Sequence, residues 1–368
     1  MSRNLDLPEV VITDEYRRFA EFCDACRRYA YIGLCYGPPG VGKTISARHY
    51  ANWNEIEAYV PYLAASGPGP ITLLGSDTVL YTPKVVHSPK QIEQELAQWR
   101  LRLRTIPLEV LHQEEEAALE RAKELDKPKR LALDRAYAKR TKGPLVPLPE
   151  IEWMSEQVAR TYAQKRAETP DPTTLLIIDE ADRLKTAGLE QVRDIFDQGG
   201  VGVALIGMPG IEKRLSRYPQ LYSRVGFVHE FRPLTADAMH ELFEHRWLPA
   251  GVALPNGLNN EEVMAAVIRI TGGNFRLLHR LLTQMARLVE INALSQITRE
   301  VVEMARENLV IWSGLKPLSS DGANNSESGT DNSEIYTRSS DIVFCVAWFC
   351  IRCLSLPDTF IISFSIDN

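Results

Sequence analysis

The chain has 368 residues, 45% hydrophobic and 24% charged, with a formal net charge of −6. That is enough length for two domains and enough apolar material for a proper core. Residues 317–368 carry two basic and seven acidic side chains, so the preceding body is close to neutral. This excludes a globally basic nucleic-acid binder, and any nucleic-acid surface must be a local patch.

In chain order, Thr13-Asp14-Glu15 reads as a helix start, and the helix runs to about Tyr29 with Phe19, Phe22 and Cys26 on one side. Tyr31 to Tyr36 is an apolar strand, and Thr44 to Asn52 is helical. Residues 54–76 read as a connector, and Thr78 to Thr82 as a second strand. Residues 84–170 differ in character. Ile92, Leu96, Trp99 and Leu103 recur at helical spacing, and separate helices are expected over Leu108–Asp126, over Lys129–Arg140 and from Ser155, punctuated by Pro128, Pro144, Pro147 and Pro149. Strand character returns at Leu175–Ile178, Val201–Ile206 and Gly226–Phe231, with a helix over Gly188–Asp197 between the first two. Residues 235–308 are helical throughout. The pattern predicts an α/β domain with a parallel sheet, a helical insert after the second strand, and a small all-α domain behind it. The expected divisions are 1–30 (N-terminal helical segment), 31–233 (α/β core, insert at 84–170), 234–312 (helical lid) and 313–368 (disordered tail). Ser319–Ser340 is rich in Ser, Asn, Asp and Gly, and the apolar run Ile342–Ile351 is too short to span a membrane.

The cysteines are Cys23, Cys26, Cys35, Cys345, Cys350 and Cys353. Their uneven placement does not suggest a disulfide framework, and the two C-x-x-C pairs lie too far apart in sequence to favour a zinc site. The N-terminus lacks an apolar signal core, so a cytoplasmic location is expected.

Two motifs carry chemistry. Gly37-Pro38-Pro39-Gly40-Val41-Gly42-Lys43-Thr44 is a complete G-x-x-x-x-G-K-[ST] loop between a strand and a helix. Glycines let backbone N–H groups curl around a phosphate, and the helix N-terminus adds its positive end. Lys43 is placed to reach the β- and γ-phosphates, and the Thr44 hydroxyl to ligate Mg²⁺. The loop is therefore read as a nucleoside triphosphate site. The second motif is the apolar run ending in Asp179-Glu180: Asp179 is the candidate Mg²⁺ carboxylate and Glu180 the candidate base for an attacking water.

With GPPGVGKT and LLIIDEAD in hand, the chain resembles the AAA+ ATPases, which implies ATP as the nucleotide. Arg224, in Gln220-Leu221-Tyr222-Ser223-Arg224-Val225-Gly226-Phe227, resembles that family's arginine finger, which acts on a neighbouring subunit's γ-phosphate. Arg214 and Arg217 are local competitors. Arg276, in Gly272-Gly273-Asn274-Phe275-Arg276, is similar to the sensor 2 arginine of the lid, although Asn274 also reads simply as a helix N-cap. The fourth strand departs from the family pattern: it runs into Gly207-Met208-Pro209 without a polar side chain, which predicts slow turnover.

Lys127, Lys129, Arg130, Arg135, Lys139, Arg140 and Lys142 make a basic stretch in the insert, a candidate patch for non-sequence-specific DNA binding. An alternative is a solvated hairpin whose basic arm pairs with Glu114, Glu115, Glu116 and Glu120. Over roughly residues 10–310 the strings around these motifs most closely resemble the transposition-regulator branch (MuB, TnsC and TniB). That resemblance implies an ATPase that assembles as a ring or filament on duplex DNA, marks a target site and recruits or activates a transposase, with a target-selector protein as a further partner. A helicase loader or replication initiator, or a nucleotide-switched signalling scaffold without DNA contact, shares most of these features. No membrane partner is expected.

Overall fold

A computed structural model describes residues 11–61, 69–138, 152–244, 247–249, 252–254 and 260–309. Its centre is a five-stranded sheet in the order β2-β3-β4-β1-β5, with every pair parallel. The chain opens with α1 (Asp14–Tyr29), β1 (Ile32–Tyr36), α2 (Lys43–Tyr50), α3 (Trp53–Ala58) and β2 (Thr78–Tyr81). It continues through α4 (Pro89–Ala138), α5 (Met154–Glu168), β3 (Leu175–Ile178), α6 (Thr186–Asp197), β4 (Gly202–Gly207), α7 (Ile211–Leu215), α8 (Pro219–Tyr222) and β5 (Val225–Glu230). Helices α9 (Ala236–Glu244), α10 (Glu261–Thr271), α11 (Phe275–Ile291) and α12 (Arg299–Glu307) follow.

The inner strands are apolar runs because parallel strands are covered on both faces. Every residue of β2, β3 and β4 is buried. Helix α1 is started by the Thr13 side chain, which accepts from Tyr16 N–H at 3.1 Å, and it buries Phe19, Phe22, Cys23 and Cys26 on the sheet. Two glycines let it sit that close. A Cβ at Gly33 would lie 2.2 Å from Cys26 Sγ, and one at Gly202 would lie 2.3 Å from the Cys26 carbonyl oxygen. Helices α9–α12 bury a separate core around Met239, Val267, Leu281, Met285 and Val302.

The insert differs from expectation. Its first helices are one, α4, of 50 residues with Pro107 and Pro128 inside it, a rod of roughly 75 Å at 1.5 Å per residue. A proline in a helix interior costs about 3 kcal/mol, and tertiary contacts beside each proline offset that cost. Near Pro107, Leu103 and Ile106 are buried and Glu109 accepts from Tyr59 Oη. Near Pro128, the buried Asp126 caps α5 by accepting from the N–H groups of Met154 (3.0 Å) and Ser155 (2.9 Å). The charge pairing also differs from the solvated-hairpin alternative. Glu115 pairs with Arg166 of α5, while Glu120 and Glu124 pair with Lys123 and Lys127 on α4 itself. Residues 54–58, expected as the start of a connector, belong to α3, because Trp53 and Ile56 bury one face. Among the described residues no helix is long and apolar enough to cross a membrane.

Replacing Gly202 with Ala puts a methyl group against backbone that cannot swing aside. A loss of about 1–3 kcal/mol, typical of overpacking, is expected in urea unfolding. An unchanged midpoint would contradict the close seating of α1.

Candidate functional site

The loop from Gly37 to Thr44 leaves the C-terminal end of β1 and opens α2. Gly40 (φ 82°) and Gly42 (φ 115°) take left-handed backbone that favours glycine. Gly42 is the N-cap of α2 and offers no side-chain cap, so the first helical N–H groups remain open to an anion. Lys43 Nζ donates to the carbonyls of Gly37 (2.5 Å) and Pro38 (2.8 Å), which holds the ammonium over the loop. Partial burial lowers the Lys43 pKa, against the pull of Asp179 and Asp182.

Asp179 follows β3, with its N–H on the Tyr81 carbonyl of β2 at 2.8 Å. Its Oδ2 accepts from the Thr44 hydroxyl at 2.7 Å, joining the two motifs across 135 residues. Asp179 is only 3% exposed, and burial raises its carboxyl pKa. A hydroxyl beside a carboxylate is a hard-oxygen pair that fits Mg²⁺. Glu180 is the next residue, in left-handed backbone (φ 50°, ψ 43°), a conformation that costs a non-glycine residue energy. Its carboxylate pairs with Arg183, and Arg183 also donates to the Pro83 carbonyl at 3.0 Å.

The end of β4 has no polar side chain of its own, but the structure brings one from elsewhere. Asp182 Oδ2 accepts from Met208 N–H at 2.7 Å, so a carboxylate stands where the strand stops. Asp182 closes the LLIIDEAD string, but nothing in the sequence predicts that it meets the end of β4.

The lid closes the site. Asn274 Nδ2 donates to the Pro39 carbonyl at 2.8 Å, and Arg276 N–H donates to the Gly40 carbonyl at 3.0 Å. Between lid and loop lies a cavity of about 640 Å³ lined by Gly40, Gly42, Lys43, Thr44, Asp179, Glu180, Asp182, Arg183, Met208, Trp247, Arg276, His279 and Arg280. Arg276, His279 and Arg280 fall on one face of α11, and among the described residues none of them makes an ion pair. A smaller recess of about 80 Å³ adjoins it, formed by Val11, Ile45, Phe231, Trp247 and Phe275 among others. Phe231, Trp247 and Phe275 give it aromatic walls, with Glu15 and Arg232 as charged ones. These wall residues come from separate segments, which is why no local motif marks them; Phe275, inside the lid motif, is the one signal in the sequence.

Arg224 is not brought to this cavity. Its carbonyl accepts from Ile32 N–H at 3.1 Å, so it stands at the start of β1, whereas the phosphate loop leaves the other end. The five residues of β1 separate them by about 17 Å. The guanidinium holds Asp197 with two bonds (Nε–Oδ1 2.5 Å, Nη2–Oδ2 2.8 Å), and this pairing lowers the Asp197 pKa. Arg214 is committed to the carbonyls of Asp182 and Leu184, and Arg217 is exposed.

Of the basic stretch, Lys127, Lys129, Arg130 and Arg135 lie on the exposed distal part of α4. Lys127 pairs with Glu124 at 2.5 Å, and Arg130 stacks over Trp153 at 5.0 Å. Lys129 and Arg135 make no ion pair among the described residues. Lys139, Arg140 and Lys142 lie outside the described residues. Cys23, Cys26 and Cys35 are free and buried, and no metal-ligand cluster of three or more side chains occurs among the described residues.

A family profile described as "AAA domain" matches residues 26–215. A Staphylococcus aureus protein described as "Potential ATP-binding protein" is 38% identical over 312 residues, covering 84% of this chain and 99% of its own. Among solved structures, Aeropyrum pernix ORC1 in complex with DNA aligns with a TM-score of 0.44 at 20% identity, over 81% of this chain and 66% of that one. Cdc6p from Pyrobaculum aerophilum aligns with a TM-score of 0.47 at 14% identity, over 85% of this chain and 73% of that one.

The raised Asp179 pKa has a definite sign. A carboxylate whose folded pKa lies above its unfolded value costs stability above that folded pKa, and the cost vanishes below the unfolded one. Asp179→Asn is therefore expected to melt higher than wild type at pH 8 without nucleotide, with the advantage shrinking as the pH falls. An Asn variant less stable at every pH would contradict a charge whose burial outweighs its partners.

Proposed function

This chain belongs to the AAA domain family, and on that premise we propose that it is an ATP-dependent, DNA-binding regulator of transposition. It assembles on duplex DNA with ATP, marks a target site, and recruits or activates a transposase, with slow hydrolysis timing disassembly. The observation that carries this reading is the placement of Arg224. The chain builds a phosphate loop, a hard-oxygen pair and a lid at the C-terminal ends of the strands, while its candidate finger stands at the opposite end. Such a guanidinium acts only on a neighbouring copy, so a complete site requires an assembly.

Within one site the roles follow from position. Loop amides and Lys43 bind the β- and γ-phosphates, Thr44 and Asp179 hold Mg²⁺, and Glu180 takes the proton of the attacking water once it leaves Arg183. Bound there, Mg²⁺ would neutralise charge on the phosphate oxygens. Arg276 reaches the nucleotide from the lid. The Staphylococcus aureus relative, described as potentially ATP-binding, supports the nucleotide assignment. The transposition branch is supported by the sequence strings around the loop, Asp179-Glu180 and Arg224. The DNA contact is supported by the exposed basic end of α4, whose residues would track phosphates rather than bases.

Duplex binding is expected to require ATP and to weaken steeply with salt. Combining Lys129→Glu with Arg135→Glu should lower affinity. It should also flatten the slope of log K against log salt by about 2, because each phosphate left without its cation removes close to one from that slope. Binding without nucleotide, or binding that ignores salt, would sink the proposal. Co-purification with a replicative helicase in place of a transposase would favour the loader reading instead.

A further inference from the structure

We propose that Asn274 is a positioning residue whose side chain aims the phosphate loop's amides, in addition to starting its own helix. The proposal rests on reading Gly37–Thr44 as the triphosphate site.

The Asn274 amide group does two separate jobs. Its Oδ1 accepts from Leu277 N–H at 3.1 Å, the ordinary N-cap bond of α11. Its Nδ2 donates to the Pro39 carbonyl at 2.8 Å, across 235 residues of sequence. Immediately beside it, Arg276 N–H donates to the Gly40 carbonyl at 3.0 Å, so an otherwise unsatisfied amide of the α11 first turn is satisfied by the loop. The fit is close: a Cβ at Gly40 would stand 2.6 Å from Asn274 Oδ1 and 2.7 Å from Arg276 Cβ.

Peptide planarity turns these outer contacts into an inner arrangement. In a trans peptide the carbonyl and the following N–H point in opposite directions, and the described residues contain no cis peptide. A Pro39 carbonyl held outward by Asn274 sends the Gly40 N–H the other way. A Gly40 carbonyl held outward by Arg276 does the same for the Val41 N–H. The lid thus fixes the direction of two consecutive loop amides through the opposite side of each peptide. Linkage makes the effect reciprocal: whatever the clasp adds to phosphate affinity, bound phosphate adds to lid closure.

The test separates cap from clasp. In the full-length chain, Asn274→Ser and Asn274→Asp keep a good N-cap acceptor but remove the donor to Pro39, whereas Asn274→Ala removes both. Titration calorimetry with ATP and with tripolyphosphate, in Mg²⁺, would be read beside the melting temperature without ligand. Ser and Asp variants, which keep the cap and lose one bond between lid and loop, should melt only slightly below wild type and above the Ala variant, yet bind both ligands about fivefold more weakly. The neutral Ser variant controls for the charge of Asp, and the Ala variant should lose affinity and melting temperature together. Wild-type affinity in the Ser variant, with an unchanged melting temperature, would overturn the proposal. A wild-type chain that binds neither ligand would overturn the reading of the loop, and the proposal with it.

Discussion

The contact between the first turn of α11 and the carbonyls of Pro39 and Gly40 is the constraint on which the site depends. It joins two hydrophobic cores that otherwise have separate interiors, one under the sheet and one among α9–α12. A helix N-terminus needs acceptors and a phosphate loop presents carbonyls on its outer side, so each satisfies the other. The cavity between them is consequently bounded by the lid as well as by the sheet, and any change of lid position is felt by the loop.

Several charged groups in and beyond that cavity are buried or already tied to partners within the chain. Asp179 is buried, hydrogen-bonded by the Thr44 hydroxyl and the Glu180 N–H and attracted by Lys43, yet burial still dominates, a desolvation that a cation would relieve. Glu180 is tied to Arg183, and Arg183 to the end of β2 where the long insert begins. Arg224 is tied to Asp197 at the far end of the sheet. Glu180 and Arg224 thus each already have a partner within their own chain.

Much of the fold is legible in the sequence, for identifiable reasons. Four of the strands are short buried runs, because a parallel sheet covered on both faces tolerates nothing else at Leu175–Ile178 or Val203–Ile206, whereas the edge strand β5 alternates half-buried and exposed residues. Helix α1 announces itself through Thr13 and the spacing of Phe19, Phe22 and Cys26. The insert resists reading because Pro107 and Pro128 signal breaks locally, and only tertiary contacts such as Glu109 with Tyr59 and Asp126 with α5 carry the helix through them. The same distinction holds at the site. The loop and Asp179-Glu180 are contiguous strings, whereas the contact of Asp182 with Met208, the walls of the smaller recess and the Asn274 clasp exist only once distant segments meet.

The central claim is that one chain's Arg224 completes another chain's site. Mixing Glu180→Gln, which keeps the arginine, with Arg224→Ala, which keeps the carboxylate, tests it directly on duplex DNA with ATP. Each variant alone should hydrolyse ATP poorly, the arginine substitution costing about a thousandfold or more, and the mixture should recover activity as hybrid interfaces form. A mixture no more active than its parts, or an Arg224→Ala protein that turns over like wild type, would contradict the account.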